Sequence, residues 1–219
     1  MQGKFGSIIF PCGFAGNHVR WLLFLDRQFH NPFGTQDLGS KLKFIGENVY
    51  GQDRTWNSWL YLEWKFRQEL DKTICIRHDN WQWENTSQER ELYLTSSNYL
   101  TAFIHYYHIN LGLNNSTPEI LLQQMQDWCC EFEFVKKNLH RFPNKKIINI
   151  DTVFDRKLSK QLYQDIIEFY GFDDNYQTAC QVHNMYYCSR QKSARDFYNY
   201  FTSENFDNLM DLVYKISKE

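Results

Sequence analysis

Four short runs of apolar residues punctuate the chain: "SIIF" (7–10), "TICIR" (73–77), "ELYLT" (91–95) and "KIINI" (146–150). Each is rich in β-branched or aromatic residues and continuous rather than alternating, the pattern of strands covered on both faces. Between them, helical patterns run over residues 17–29, 97–110, 118–140 from Pro118, 156–170 up to Gly171, and 203–217. Pro at a helix start and Gly past a helix end support these limits. Strands alternating with helices predict an α/β fold built on a mostly parallel sheet flanked by helices on both faces. Residues 31–72 are rich in turn formers and show no sustained period, which reads as a lid, a substrate-facing excursion or an ordinary connection. No internal repeat is detected.

The 219 residues suit one domain, 1–219, with a sizeable core. Lys+Arg 24 against Asp+Glu 26 gives a net charge of -2. Such a balance offers no global field for nucleic acid or an anionic membrane, so any phosphate site has to be local. The apolar stretch before Pro11 is too short for a signal-peptide core. "WLLFL" is far shorter than the roughly 20 residues that span a bilayer. The expectation is a cytoplasmic protein without a membrane span. The six cysteines show no C-x-x-C spacing, and vicinal Cys129 and Cys130 suit neither a tetrahedral metal site nor a framework disulfide, so reduced and mostly buried thiols are expected.

Candidate chemistry gathers where strands end. In open α/β sheets ligands sit beyond the carboxyl ends of the strands, and "PCGFAGN" leaves the first strand at such an end. Gly13 and Gly16 permit positive φ or close backbone approach, and Asn17 is placed to cap the helix that follows. The N–H groups from Gly13 through Phe14, Ala15, Gly16 and Asn17 to His18 would then face an anion, although a tight turn explains the same residues. The hydrolase signature G-x-x-x-x-G-K-[ST] is absent, which weighs against ATP or GTP hydrolysis. "ICIRHDN" sets Arg77 and His78 at the end of the second strand, where imidazole suits proton abstraction near neutral pH. Ser96, Ser97 and Asn98 follow the third strand and either cap a helix or bond a phosphate. His105 and His108 share a helical face, but with no third ligand nearby they read as packing rather than metal ligands. Arg190, Lys192 and Arg195 cluster within six residues, on a loop suited to a phosphate monoester or merely to solvent.

In order and spacing these pieces resemble the sulfotransferase family, over nearly the whole chain. "FAGNHVRWL" is similar to the family's P-K-S-G-T-T-W loop, with Gly16 on its glycine and Phe14 where its lysine stands. "IRH" resembles the K-T-H strand end, whose histidine is the catalytic base. "YLTSSNYLTAFIHYY" follows the outline of Y-L-V-R-N-P-R-D-V-A-V-S-Y-Y, with Ser96 and Ile104 at the arginine and serine that bind the 3'-phosphate. "IINIDTVFD" and "LYQDIIEFYGF" look like the V-x-Y-E-D-L segment and the F-L-G-L helix end. "RQKSARDFYNYFT" is similar to R-K-G-T-x-G-D-W-K-N-H-F-T, coinciding at Arg190, Asp196, Asn199, Phe201 and Thr202.

The resemblance implies a P-loop NTPase-like fold and 3'-phosphoadenosine 5'-phosphosulfate as sulfuryl donor. It implies a small-molecule or glycan acceptor bearing a hydroxyl or amine, and no metal. It places the base on His78 and the donor on Gly13–His18, Ser96, Ser97, Arg190 and Lys192; with Phe14 at the lysine position, Arg20 and Arg77, each beside a loop at a strand end, are the cations expected to supply the missing charge. The departures at Phe14, Ser96 and Ile104 equally suit a catalytically silent relative. Two rival classes are a magnesium-dependent kinase-like enzyme and an interaction module built on exposed aromatics.

Overall fold

A computed structural model describes residues 6–10, 13–27, 29, 37–50, 90–98, 101–102, 145–191 and the single positions 123, 137, 207 and 211, with 74–77 and 192–200 as backbone. Strands β1 (Gly6–Ile9), β2 (Ile74–Arg77), β3 (Arg90–Thr95) and β4 (Lys145–Asn149) form one sheet in the order β2-β1-β3-β4, and every pair is parallel. The chain is therefore α/β, as its apolar runs predict, and each strand lies within one or two residues of its expected place. From β1 the chain builds to one side with β2 and then crosses to the other with β3. The carboxyl ends of β1 and β3 thus flank a topological switch point, where such sheets open a crevice.

Helices α1 (Gly16–Leu23), α2 (Leu38–Phe44), α3 (Lys160–Tyr170) and α4 (Tyr176–Tyr200) are described, with a π-helical turn at Ile45–Val49 and a 3-10 turn at Asp151–Phe154. The core joins Ile8, Leu92, Leu94 and Ile148 of the sheet to Val19 and Leu22 of α1, Ile166 of α3 and Val182 of α4. Burying each such side chain is worth about 1.5–3 kcal/mol. Helix α3 ends as expected at Gly171, which closes it with φ 71°, but it begins at Lys160 rather than 156, because the Ser159 hydroxyl caps it by accepting from Leu162 N–H. The Tyr170 hydroxyl donates to the Ser7 carbonyl at 2.7 Å, fixing α3 to β1. Any side chain at Gly6 would overlap that ring.

Three elements differ from expectation. Helix α1 ends at Leu23 rather than near 29, because the backbone tightens into i to i−3 bonds, Leu25 to Leu22 and Asp26 to Leu23. This turns buried Asp26 so that its carboxylate accepts from the Asp173 N–H at 2.8 Å and its carbonyl from the Lys41 ammonium. Within 31–72, Asp37 caps α2 by accepting the Ser40 N–H at 2.8 Å, and the helix buries Lys41 and Phe44. Finally, Arg190 and Lys192 lie on α4, not on a loop. Ala179, Val182, His183, Tyr186 and Arg190 follow helical spacing, but with His183 and Arg190 scored as polar the stripe is hidden.

A candidate anion site at the carboxyl edge of the sheet

The loop from β1 to α1 turns through two left-handed positions, Gly13 (φ 89°) and Ala15 (φ 55°). The second costs an alanine about 1–2 kcal/mol, which the surrounding packing has to offset. Phe14 between them is fully buried and anchors the loop in the core. Gly16 is required by packing: a Cβ there would overlap the Phe10 ring. Ala15 occupies the cap position without a side-chain hydrogen bond, so Asn17 sits inside the first turn rather than capping it. The helical ladder begins at Val19 N–H to Ala15 carbonyl, 3.0 Å. The N–H groups before it fall outside that ladder, at the positive end of the helix dipole.

His18, in that first turn, is buried in a polar chain. Its Nδ1 lies 2.9 Å from the Tyr50 hydroxyl and its Nε2 3.1 Å from His183 Nδ1. His183 Nε2 is 2.8 Å from the Asp155 carbonyl. A carbonyl only accepts, so His183 carries its proton on Nε2, and every other bond follows. Tyr50 donates to His18, His18 to His183, and His183 to Asp155. The Tyr186 ring stacks on His18 at 4.0 Å and 6°, and the Arg190 guanidinium lies 5.3 Å from the Tyr186 ring centre. Burial pushes the Tyr186 phenol up to about 12, opposed by Arg190 and its hydrogen bond. Burial likewise lowers the His183 pKa against the hydrogen bond to Asp155. Arg190 and the first turn of α1 are thus joined through Tyr186 and His18.

On the other side of the switch point, Ser96, Ser97 and Asn98 surround the Asp151 carboxylate. Ser96 Oγ donates at 2.6 Å, Ser97 N–H at 2.9 Å and Asn98 N–H at 3.2 Å; the Ser97 hydroxyl and the Asn149 amide complete the set. Asn98 also caps the next helix, accepting the Thr101 N–H at 3.3 Å. Of the two readings of "TSSN", the helix cap is realised, and the serine donors that would bond a phosphate are turned to the chain's own Asp151 carboxylate. Partial burial pushes the Asp151 carboxyl up, but the hydrogen bonds from Ser96, Ser97 and Asn149 outweigh it and hold the group below its ordinary value.

Arg20 lies buried in α1, not extended to solvent. Arg77 ends β2 in register with Ile9, so the β2 end adjoins the strand that feeds the loop. His78, Ile104, His105 and His108 fall outside the described residues, and Lys192 is placed only by the α4 backbone. Among the described residues no group of three or more His, Cys, Asp or Glu is arranged to hold a metal. Cys180 and Cys188 are free thiols, and Cys188 is exposed, unlike the buried thiols expected. No helix among the described residues is long and apolar enough to cross a membrane.

Sequence reasoning passed over Tyr50, His183, Tyr186 and Asp151. The helical spacing of His183, Tyr186 and Arg190 was a signal for the first cluster. Asp151 directly after a strand, level with "TSSN" after its neighbour, was a signal for the second. No protein-family model, no curated protein and no solved structure matches this chain.

Proposed function

We propose that this chain is a sulfotransferase-like enzyme of the P-loop plan. It binds 3'-phosphoadenosine 5'-phosphosulfate at the β1–α1 loop and passes the sulfuryl group to a hydroxyl or amine acceptor. The observation that carries the reading is the link from the first turn of α1 through His18 and Tyr186 to Arg190. It joins a helix N-terminus at the switch point to a guanidinium suited to phosphate. In this reading the N–H groups of Gly13–His18 take the phosphosulfate, and Arg190 with Lys192 takes the remaining phosphate. His78 removes the acceptor's proton as its oxygen or nitrogen attacks sulfur in line. Charge building on the donor's bridging oxygen then needs a cation, and with Phe14 in the core that role passes to Arg20 or Arg77.

A second reading, a nucleotide-binding relative without transfer activity, is favoured by the Asp151 carboxylate. It occupies the Ser96 and Ser97 donors that the first reading would give to a phosphate. Calorimetric titration separates these readings from a kinase. Adenosine 3',5'-bisphosphate binds without metal under both, whereas magnesium-dependent ATP binding alone would overturn both. Transfer from the phosphosulfate donor to a panel of alcohols, phenols and amines, abolished by His78→Ala, then supports the enzyme. Binding with no transfer supports the silent relative.

A further inference from the structure

The pair His18 and His183 sits between four separate segments. His18 belongs to the first turn of α1, Tyr50 closes the π-helical turn after α2, Asp155 follows the 3-10 turn after β4, and His183 and Tyr186 come from α4. Both imidazoles are about 1% exposed. In the neutral state all three hydrogen bonds run in one direction, from the Tyr50 hydroxyl to the Asp155 carbonyl, and each imidazole nitrogen has a partner.

Adding one proton changes this in a defined way. A proton on His183 Nδ1 would set two N–H groups against each other across 3.1 Å. It therefore enters at His18 Nδ1, and the Tyr50 hydroxyl has to stop donating and turn to accept. The groups facing the new charge are the Tyr50 phenol from the turn, the Tyr186 phenol and Arg190 guanidinium from α4, and Asp155 from beyond β4. The Tyr186 face favours an imidazolium, while burial and the Arg190 charge oppose it. Asp155 meets His183 through its carbonyl, and its charge also favours the protonated ring. A second proton would bring N–H against N–H and part the two rings.

We propose that the His18–His183 pair is an acid-operated latch: while neutral it clamps the β1–α1 loop to α4 and to the 45–50 turn, and uptake of one proton at His18 reverses the Tyr50 bond and sets a charge in the buried pair that opening of the clamp relieves. Seating of the loop is then coupled to pH through a single buried site. The inference rests on the hydrogen-bond chain alone and stands or falls independently of sulfuryl transfer.

Histidine 15N NMR and hydrogen exchange on the full chain test it. At about pH 7.5 both imidazoles are expected neutral and protonated on Nε2, as the chain dictates. On acidification one proton enters the pair at His18 Nδ1, the one imidazole nitrogen whose partner can turn from donating to accepting. Amides of 45–50 and of the first turn of α1 then lose about tenfold protection per pH unit through the transition, after correction for intrinsic rates. Tyr50→Phe keeps the ring and removes the donor, and it abolishes the pH-dependent loss at 45–50 while His183 stays protonated on Nε2. His183→Gln removes the second imidazole; should it not fold, the tautomers and Tyr50→Phe still decide. Nδ1-protonated tautomers, two independent titrations near 6.5, or exchange at 45–50 that ignores pH would overturn the latch.

Discussion

Asp151→Ala removes the acceptor at the centre of the strand-end cradle. Five donors converge on that carboxylate, from Ser96, Ser97 twice, Asn98 and Asn149. They are not equivalent. Ser97 and Asn98 face water, which replaces the lost bonds at little cost, whereas the Ser96 hydroxyl is 4% exposed and would be left without its acceptor. A buried hydroxyl orphaned in this way costs about 1–3 kcal/mol, so the substitution should destabilise the chain by roughly 2 kcal/mol. For a chain of this size that lowers the melting temperature by about 4–8 °C. The sign of the pH dependence also follows. A carboxyl held below its unfolded value of 3.8 contributes stability that is present above that value and lost as pH falls through the folded pKa. The gap between wild type and variant should be full near neutrality and close under acid. Thermal unfolding followed by circular dichroism across this range checks both statements. An unchanged melting temperature at neutral pH, or a gap that persists undiminished below the folded pKa, would refute the assignment of Asp151 as the cradled anion.

Gly16→Ala forces a methyl group into the Phe10 ring and should cost about 1–3 kcal/mol in chemical denaturation, with Phe10→Ala recovering part of the loss in the double variant. Tyr170→Phe removes the hydroxyl that donates to the Ser7 carbonyl, for a loss of about 1 kcal/mol by the same assay. Arg190→Met should weaken adenosine 3',5'-bisphosphate by roughly 10- to 100-fold in calorimetry, the scale of one charge-assisted contact, while leaving the melting temperature within a few degrees. An unchanged affinity would remove Arg190 from the donor site.

The four strands were legible because each is a short apolar run rich in β-branched or aromatic residues, a pattern that needs no knowledge of partners, although β4 is covered only in part, with Ile148 buried and Ile147 48% exposed. The end of helix α3 was legible for a local reason as well, since Gly171 marks it chemically, whereas its start at the Ser159 cap was placed too early. Helix α4 was not legible, because its inward stripe includes His183, a polar residue whose burial depends on His18 and Asp155 far away in sequence. The loop was found in the right place but for an incomplete reason: Gly16 answers to the Phe10 ring, which spacing alone does not reveal. Asp151 was hidden in the same way, since its role exists only once β3 and β4 lie side by side with Thr95 opposite Asn149.

The central claim is that the switch point between β1 and β3 receives the donor nucleotide through the β1–α1 loop. Amide NMR of the full chain, titrated with adenosine 3',5'-bisphosphate, tests it most directly. The account predicts saturable shifts of the Gly13, Gly16, Asn17 and His18 amides, together with those of α4 around Arg190. Saturable shifts confined to other parts of the chain, or none at any concentration of the bisphosphate, would contradict it.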